Sequence, residues 1–221
     1  MFIVEANIGA GKTTLLQLIA EHMPHITVAF EPLNAWHRQD AGVSLLEQFY
    51  TNPQRWAFSL ETFAMACRVI EHLQEQQRNT PYRIAERSIF SGHYCFATNS
   101  YATGLMTEVE WRVYLQWFNF LIAHRCAFPH GFIYLQTSPT VAFERIQKRK
   151  RSAEEGITLQ YLQQIHQAHE DFLVHKKNLL PGLAEVPVLI LDANPEFAQD
   201  PQQLQQHLAA IESFIEKHAN S

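Results

Sequence analysis

Between an apolar run, Phe2–Ala6, and a helical pattern that opens at Lys12 stands the stretch Ala6-Asn7-Ile8-Gly9-Ala10-Gly11-Lys12-Thr13-Thr14. Gly9 and Gly11 let the backbone curl until successive N–H groups converge on one point. The N-terminus of the following helix adds its positive dipole end there. Strand, glycine loop, Gly-Lys-Thr and helix in that order match a Walker A phosphate loop, except that Ala6 stands where a first glycine is usual. A chance glycine-rich turn does not require that order. The stretch therefore points to a bound nucleoside triphosphate, with Lys12 reaching the β and γ phosphates and Thr13 ligating Mg²⁺. Asn7, Ile8, Gly9, Ala10, Gly11 and Thr14 complete the expected cradle. Ala6 fits without cost if its φ is negative; a positive φ would strain the loop.

The rest of the chain supplies the sheet that such a loop needs. Short apolar runs at Phe2–Ala6, Ile26–Phe30, Tyr82–Ala85, Phe132–Gln136 and Val186–Leu191 show little alternation, as strands buried on both faces do. Helical patterns lie between them: Lys12–Met23, Pro53–Gln77, Val109–Phe128 opening on a Thr107/Glu110 capping box, a helix begun by Ser138-Pro139, then Thr158–Lys177 and Pro201–His218. The pattern predicts an α/β fold, a P-loop three-layer sandwich with a five-stranded parallel sheet flanked by helices. No linker or repeat divides residues 1–221, so a single domain is expected.

Composition narrows the partners. Lys and Arg number 17 against 22 Asp and Glu, a formal charge of −5, which argues against a nucleic-acid or acidic-membrane binder. Cys67, Cys95 and Cys126 form no CxxC pair and are odd in number, so a reducing, cytoplasmic setting fits better than a disulfide framework. Met1-Phe2-Ile3-Val4 already reads as strand, which leaves no room for a targeting segment. No apolar run reaches the ~20 residues that cross a bilayer.

Two charged outposts close the second and third strands: Glu31-Pro32 and Glu86-Arg87-Ser88. Ligands of open α/β sheets bind beyond the carboxyl ends of the strands, so these residues should share the crevice of the phosphate loop. One carboxylate there can take a hydroxyl proton, another can hold Mg²⁺, and an arginine can neutralise the transferring group.

With these residues in view, the sequence resembles the deoxynucleoside kinase family, which includes deoxyguanosine, deoxycytidine and thymidine kinases and bacterial relatives. The resemblance spans nearly the whole chain. It rests on Asn7–Thr13, Glu31-Pro32-Leu33 with Trp36, and Tyr50 followed by Pro53-Gln54-Arg55-Trp56-Ala57-Phe58. It continues through Glu86-Arg87-Ser88, Leu135-Gln136 with Pro139, Arg145 with Arg149 and Arg151, Glu154-Glu155-Gly156-Ile157, and Asp192–Phe197. The resemblance implies that Glu31 takes the proton from a nucleoside 5′-hydroxyl, that Arg87 holds that hydroxyl and Glu31, and that Glu86 positions Mg²⁺ with Thr13. It implies that Tyr50 and Glu154 bind the 3′-hydroxyl, and that Arg145, Arg149 and Arg151 belong to a lid (about 145–156) over the phosphates of ATP. The Asp192–Phe197 turn, with Asp192, Asn194 and Phe197, would hold the adenine, and Trp36, Phe63 and Phe96 would wall the acceptor base. A helix-bundle homodimer is implied as well, drawing on Trp111, Tyr114, Trp117, Phe118 and Phe120.

One departure bears on the acceptor. The family usually presents a glutamine from the Pro53–Gln77 helix to the base; here the position is Glu61. An ionised carboxylate only accepts hydrogen bonds, which suits guanine, with N1–H and the N2 amine side by side. Arg68 lies seven residues on, on the same face and roughly 10 Å further along. Gly92 supplies no acid to pair with it, which would leave Arg68 for an acceptor atom such as guanine O6. The expectation is a purine site that favours deoxyguanosine; the alternative is that Glu61 only pairs with Arg68.

Arg145–Arg151 could also be a nucleic-acid patch, but the acidic turn that follows fits a lid better. His166 and His169, three apart, lack a third ligand and read as surface histidines rather than a metal site, and the three cysteines read as core fillers. Two other functions share the loop: a nucleoside monophosphate kinase, which would need more acceptor-side arginines than Arg55 and Arg68, and a silent nucleotide-binding subunit, which would not need to keep Lys12, Glu31 and Arg87.

Overall fold

The structure, a computed structural model, describes residues 1–31, 44–78, 80, 82–151, 154 and 156–219. Trp36, together with Pro32, Leu33 and Glu155, lies outside the described residues.

The first strand, β1 (Phe2–Ala6), runs into the glycine loop and helix α1 (Lys12–His22), then β2 (Thr27–Ala29). Helix α2 (Leu45–Thr51) and the long α3 (Pro53–Gln77) follow; the Asn52 side chain accepts the Arg55 N–H and Pro53 occupies the first turn, which fixes where α3 starts. After β3 (Arg83–Glu86), Ile89–Ser91, a π-helical turn Gly92–Ala97 and Thr98–Ala102 join into one helix, α4. Helix α5 (Glu108–His124) opens on the expected capping box, with Thr107 and Glu110 satisfying each other's backbone N–H. It stops four residues short of the expected end.

Strand β4 (Gly131–Gln136) leads to α6 (Pro139–Arg149), capped by Ser138. Helix α7 (Leu159–His169) gives way to a π-helical stretch, Glu170–Val174, so the helix expected through Lys177 is shorter and changes pitch. The single turn α8 (Pro181–Ala184), β5 (Val188–Asp192) and α9 (Pro201–His218) finish the described chain.

Among the described residues the five strands form one all-parallel sheet in the order β2-β3-β1-β4-β5. The central strand explains the missing alternation. Phe2, Val4 and Ala6 pack into a core with Leu15, Leu16 and Ile19 of α1 and Ile211 and Ile215 of α9. Ile3 belongs to the core on the other face, with Leu60 of α3, Phe90 of α4, Phe118 of α5 and Ile165 of α7. Apart from the buried Glu5, both faces of β1 are apolar, so the period of two is hidden. Sheet and two helical layers make the expected three-layer sandwich, and β1 places the glycine loop at its centre.

Candidate active site

Ala6 is buried strand residue with no positive φ, so the substitution for glycine carries no strain. Gly9 and Gly11 do need their freedom, with φ of 79° and 96°. A Cβ at Gly9 would sit 2.6 Å from the carbonyl oxygen of Ala142, because α6 rests on the loop there. Asn7 is buried and serves the scaffold: its Nδ2 donates to the Leu162 carbonyl at 2.9 Å and its Oδ1 accepts the Ile8 N–H at 2.8 Å. Lys12 folds back on the loop, with Nζ 3.1 Å from the Asn7 carbonyl. Burial, and after it the charge of Arg87, pushes the Lys12 ammonium down to about 7. A buried lysine looped over converging N–H groups fits a phosphate chain, whose charge would restore the ammonium.

Beyond the loop lies a cleft lined by the glycine loop, the strand ends and α3. Its polar lining comprises Lys12, Thr13, Glu31, Glu86, Arg87 and Arg68, with Glu61, Arg149, Arg151 and Glu154. Leu46, Phe49, Leu60, Ala64, Phe96 and the tyrosines Tyr50 and Tyr161 supply apolar wall.

The strand ends bring the outposts together as expected. Thr13 Oγ1 donates to Glu86 Oε1 at 3.0 Å, while Glu86 Oε2 accepts the Glu31 N–H at 3.4 Å. A hydroxyl beside a carboxylate at the lip of the loop is a donor set that suits Mg²⁺. Arg87 has φ 64°, strained for a non-glycine residue, and its N–H is tied to the Val4 carbonyl of β1. Its guanidinium lies 4.8 Å from the Phe96 ring, its Nε is 3.4 Å from Glu31 Oε2, and its Nη1 is buried without a hydrogen-bond partner.

Arg68 takes a different place from the one expected. Its Nε and Nη2 donate to Glu31 Oε1 at 3.3 and 2.9 Å. Glu31 is thus gripped by two arginines. Burial alone would raise its carboxyl, but Arg68, Arg87 and Lys12 together hold it below the usual carboxylate range. Gly92 matters for a steric reason: a Cβ there would meet Arg68 Nη1 at 2.8 Å. Arg68 remains in the cleft lining, with its Nε and Nη2 engaged by Glu31.

Glu61 lines the cleft and is 5% exposed, and its Oε1 accepts from Ser100 Oγ at 3.0 Å. Burial pushes its carboxyl up to about 7 against the pull of Arg68 and Ser100. Expected from the sequence as an ionised carboxylate, Glu61 has the neutral acid accessible as well through its burial.

Other expectations shift as well. Phe63 is 39% exposed and is not part of the cleft lining. Glu61, Ala64 and Arg68 line the cleft at helical spacing, whereas Phe63 stands two residues, 200°, round α3 from Glu61. Arg145 is not a lid arginine: it donates to the carbonyls of Ala193, Asn194 and Pro195 and to Glu196, clipping α6 to the turn after β5. Within that turn Asp192 accepts from Asn194, Asn194 accepts the Ser138 N–H, and Phe197 is buried against Gly11. Arg149 and Arg151 do face the cleft, and both pair with Glu154. Tyr50 and Phe96 line it as expected.

His169 is corrected from surface to core: it is fully buried, its ring stacked on Tyr134, with Nδ1 2.8 Å from the Ile165 carbonyl. Cys95 and Cys126 are buried and Cys67 half-buried. Tyr161 and Ser100 were missed. Tyr161 sits at helical spacing from Ile165 and reads as ordinary core, and Ser100 is found only through its contact with Glu61. Among the described residues no group of three or more His, Cys, Asp or Glu could hold a metal, and no helix is long and apolar enough to cross a membrane.

Comparison with known proteins places the chain in a family. The deoxynucleoside kinase family model matches residues 2–216. The chain is 34% identical to deoxycytidine kinase 2 of Gallus gallus over 96% of its length and 89% of that protein's. It is 32% identical to deoxycytidine kinase of Homo sapiens, over 88% of this chain and 84% of the other. It is 33% identical to mitochondrial deoxyguanosine kinase of Xenopus laevis, over 88% and 81%.

Proposed function

The chain belongs to the deoxynucleoside kinase family and is a phosphotransferase, and on that premise we propose that it moves the γ-phosphate of ATP to the 5′-hydroxyl of a deoxynucleoside in nucleotide salvage. The observation that carries the reading is the contact between the two halves of the cleft. Glu86 accepts from both the Thr13 hydroxyl of the phosphate loop and the Glu31 backbone, which puts a low-lying carboxylate beside the place where a triphosphate ends.

In this reading the loop N–H groups, Lys12 and the lid arginines Arg149 and Arg151 neutralise the donor phosphates, and Thr13 with Glu86 holds Mg²⁺, which supplies further charge neutralisation when bound. Glu31 accepts the 5′-hydroxyl proton, and Arg87, with its unpartnered Nη1, orients the oxygen. Tyr50 and Glu154 bind the sugar. The Asp192–Phe197 turn, which Arg145 clips to α6 through three of its carbonyls, receives the adenine. Phe96 walls the acceptor base. Closure of the cleft keeps water from competing as acceptor.

Preference for deoxyguanosine rests on Glu61 in its ionised form alone, since Arg68 is drawn to Glu31. Residues 1–221 are read as one domain, in a homodimer working in the cytoplasm. Exposed Val109, Val113 and Trp117 on α5 support the dimer.

A labelled-ATP panel over the four deoxynucleosides and their monophosphates tests the activity. Labelled monophosphates as products bear it out. Labelling of monophosphate acceptors only would make the chain a nucleoside monophosphate kinase, and no labelling at all a nucleotide-binding subunit.

A further inference from the structure

We propose that Glu61 reads the acceptor's base in two forms, donating one hydrogen bond and accepting another as the neutral acid but only accepting as the carboxylate, so that base preference changes with pH. The inference rests on the kinase reading above and deepens it.

The geometry comes first. The polar end of the cleft is built from the glycine loop and the strand ends, and Arg68 on α3 reaches that end by its bonds to Glu31. Glu61 lies seven residues earlier on α3, roughly 10 Å away, between Leu60 and Ala64 of the apolar wall. In the proposed pose a sugar held at Glu31 sends its base toward that wall, where Glu61 stands as a carboxyl among the lining residues. Its anchoring oxygen, Oε1, already accepts from Ser100.

The charges around it decide its state. Arg68 on its own helix favours the carboxylate, as does the Ser100 hydroxyl of α4. Tyr50 of α2, Tyr114 of α5 and Tyr161 of α7 also feel Glu61, and burial keeps all three phenols neutral. One shared arginine, itself bound to Glu31, does not offset full burial, so the carboxyl sits near 7 and both forms coexist at neutral pH.

The two forms prefer different edges. A carboxylate suits the paired donors of guanine, N1–H and the N2 amine. The neutral acid presents O–H and C=O together, which matches an acceptor next to an amine: N3 and the N4 amine of cytosine, or N1 and the N6 amine of adenine.

The test is the ratio of kcat/KM for deoxycytidine to that for deoxyguanosine between pH 6 and 8. Groups common to both reactions, Lys12 and Glu31 among them, cancel in the ratio. Each pH unit changes the balance of acid to carboxylate by about tenfold, so the ratio should fall by at least about tenfold across the window. In Glu61→Gln, an amide that keeps donor and acceptor at every pH, it should stay within about twofold. Ser100→Ala, which removes a bond favouring the carboxylate, should move the crossover to higher pH, and it carries the test should E61Q fail to fold. An active wild-type enzyme with a flat ratio, an E61Q ratio that moves as far as wild type, or an S100A crossover that stays put or falls overturns the proposal. Failure to phosphorylate any nucleoside at any pH instead removes the kinase reading beneath it.

Discussion

At the scale of single residues, the site turns on how Glu31 keeps its charge while buried. Arg68 and Arg87 each hold one carboxylate oxygen, and together with Lys12 they outweigh the desolvation that would neutralise it. Glu31→Gln keeps the shape and loses the base, so turnover should drop by about 10²-fold or more while ATP affinity is retained; unchanged turnover would remove Glu31 from the chemistry. The depressed carboxyl gives a sign for pH as well. Activity dependent on ionised Glu31 should persist in mild acid and be lost only as pH falls through a value below the ordinary glutamate range.

Gly92→Asp would set a competing carboxylate against Arg68, whose Nη1 already lies 2.8 Å from a Cβ built there. With Arg68 drawn away, Glu31 should titrate higher, moving the acid limb of the kcat profile upward; an unmoved limb would show that Arg68 does not tune the base. The composition of this site was legible, since Lys12 follows a glycine loop while Glu31, Glu86 and Arg87 stand at or just beyond strand ends. The partner of Arg68 was not legible. Sequence spacing relates Arg68 to Glu61 on one helix, whereas the contact with Glu31 depends on how α3 lies across the strand ends.

At the scale of elements, starts were easier to read than ends. Asn52-Pro53, Thr107 with Glu110, Ser138-Pro139 and Asp200-Pro201 each cap a helix where the sequence places it, because a capping side chain acts within three residues. Thr107→Ala should therefore cost about 1 kcal/mol, seen as a lower denaturant midpoint with an unchanged slope. The two π-helical turns, Gly92–Ala97 and Glu170–Val174, left no such mark, because the packing of α4 and α7 against the sheet decides where an extra residue is accommodated.

The second of these turns follows His169, whose buried ring is held down to about 3 by burial and by the charge of Arg87. The unfolded chain binds that proton near 6.5 and the folded chain does not, so stability should fall as pH drops from about 6.5 toward 3. His169→Phe, which keeps the stack on Tyr134, should flatten that slope in thermal melts; an equal slope would place the acid sensitivity elsewhere.

At the scale of the whole molecule, the layer order followed from apolar runs and helical periods alone, but the outer surface did not. The aromatics of α5 divide: Tyr114 and Phe118 are buried, while Trp117 is 53% and Phe120 48% exposed. With Val109 and Val113 they form a stripe at i, i+4, i+8 and i+11, the spacing of one helix face. If that face joins two copies, Trp117→Lys should shift the protein to the monomer in size-exclusion chromatography at low micromolar concentration; a monomeric wild type would discard the dimer.

Lys12, its ammonium pushed down to about 7 by burial and by Arg87 before any phosphate arrives, has a consequence for the molecule's exchange with solvent. Triphosphate docking must draw in hydrogen ions, so affinity should weaken as the medium grows alkaline. Calorimetric heats should then track the ionisation enthalpy of the buffer, once the nucleotide's own titration is subtracted.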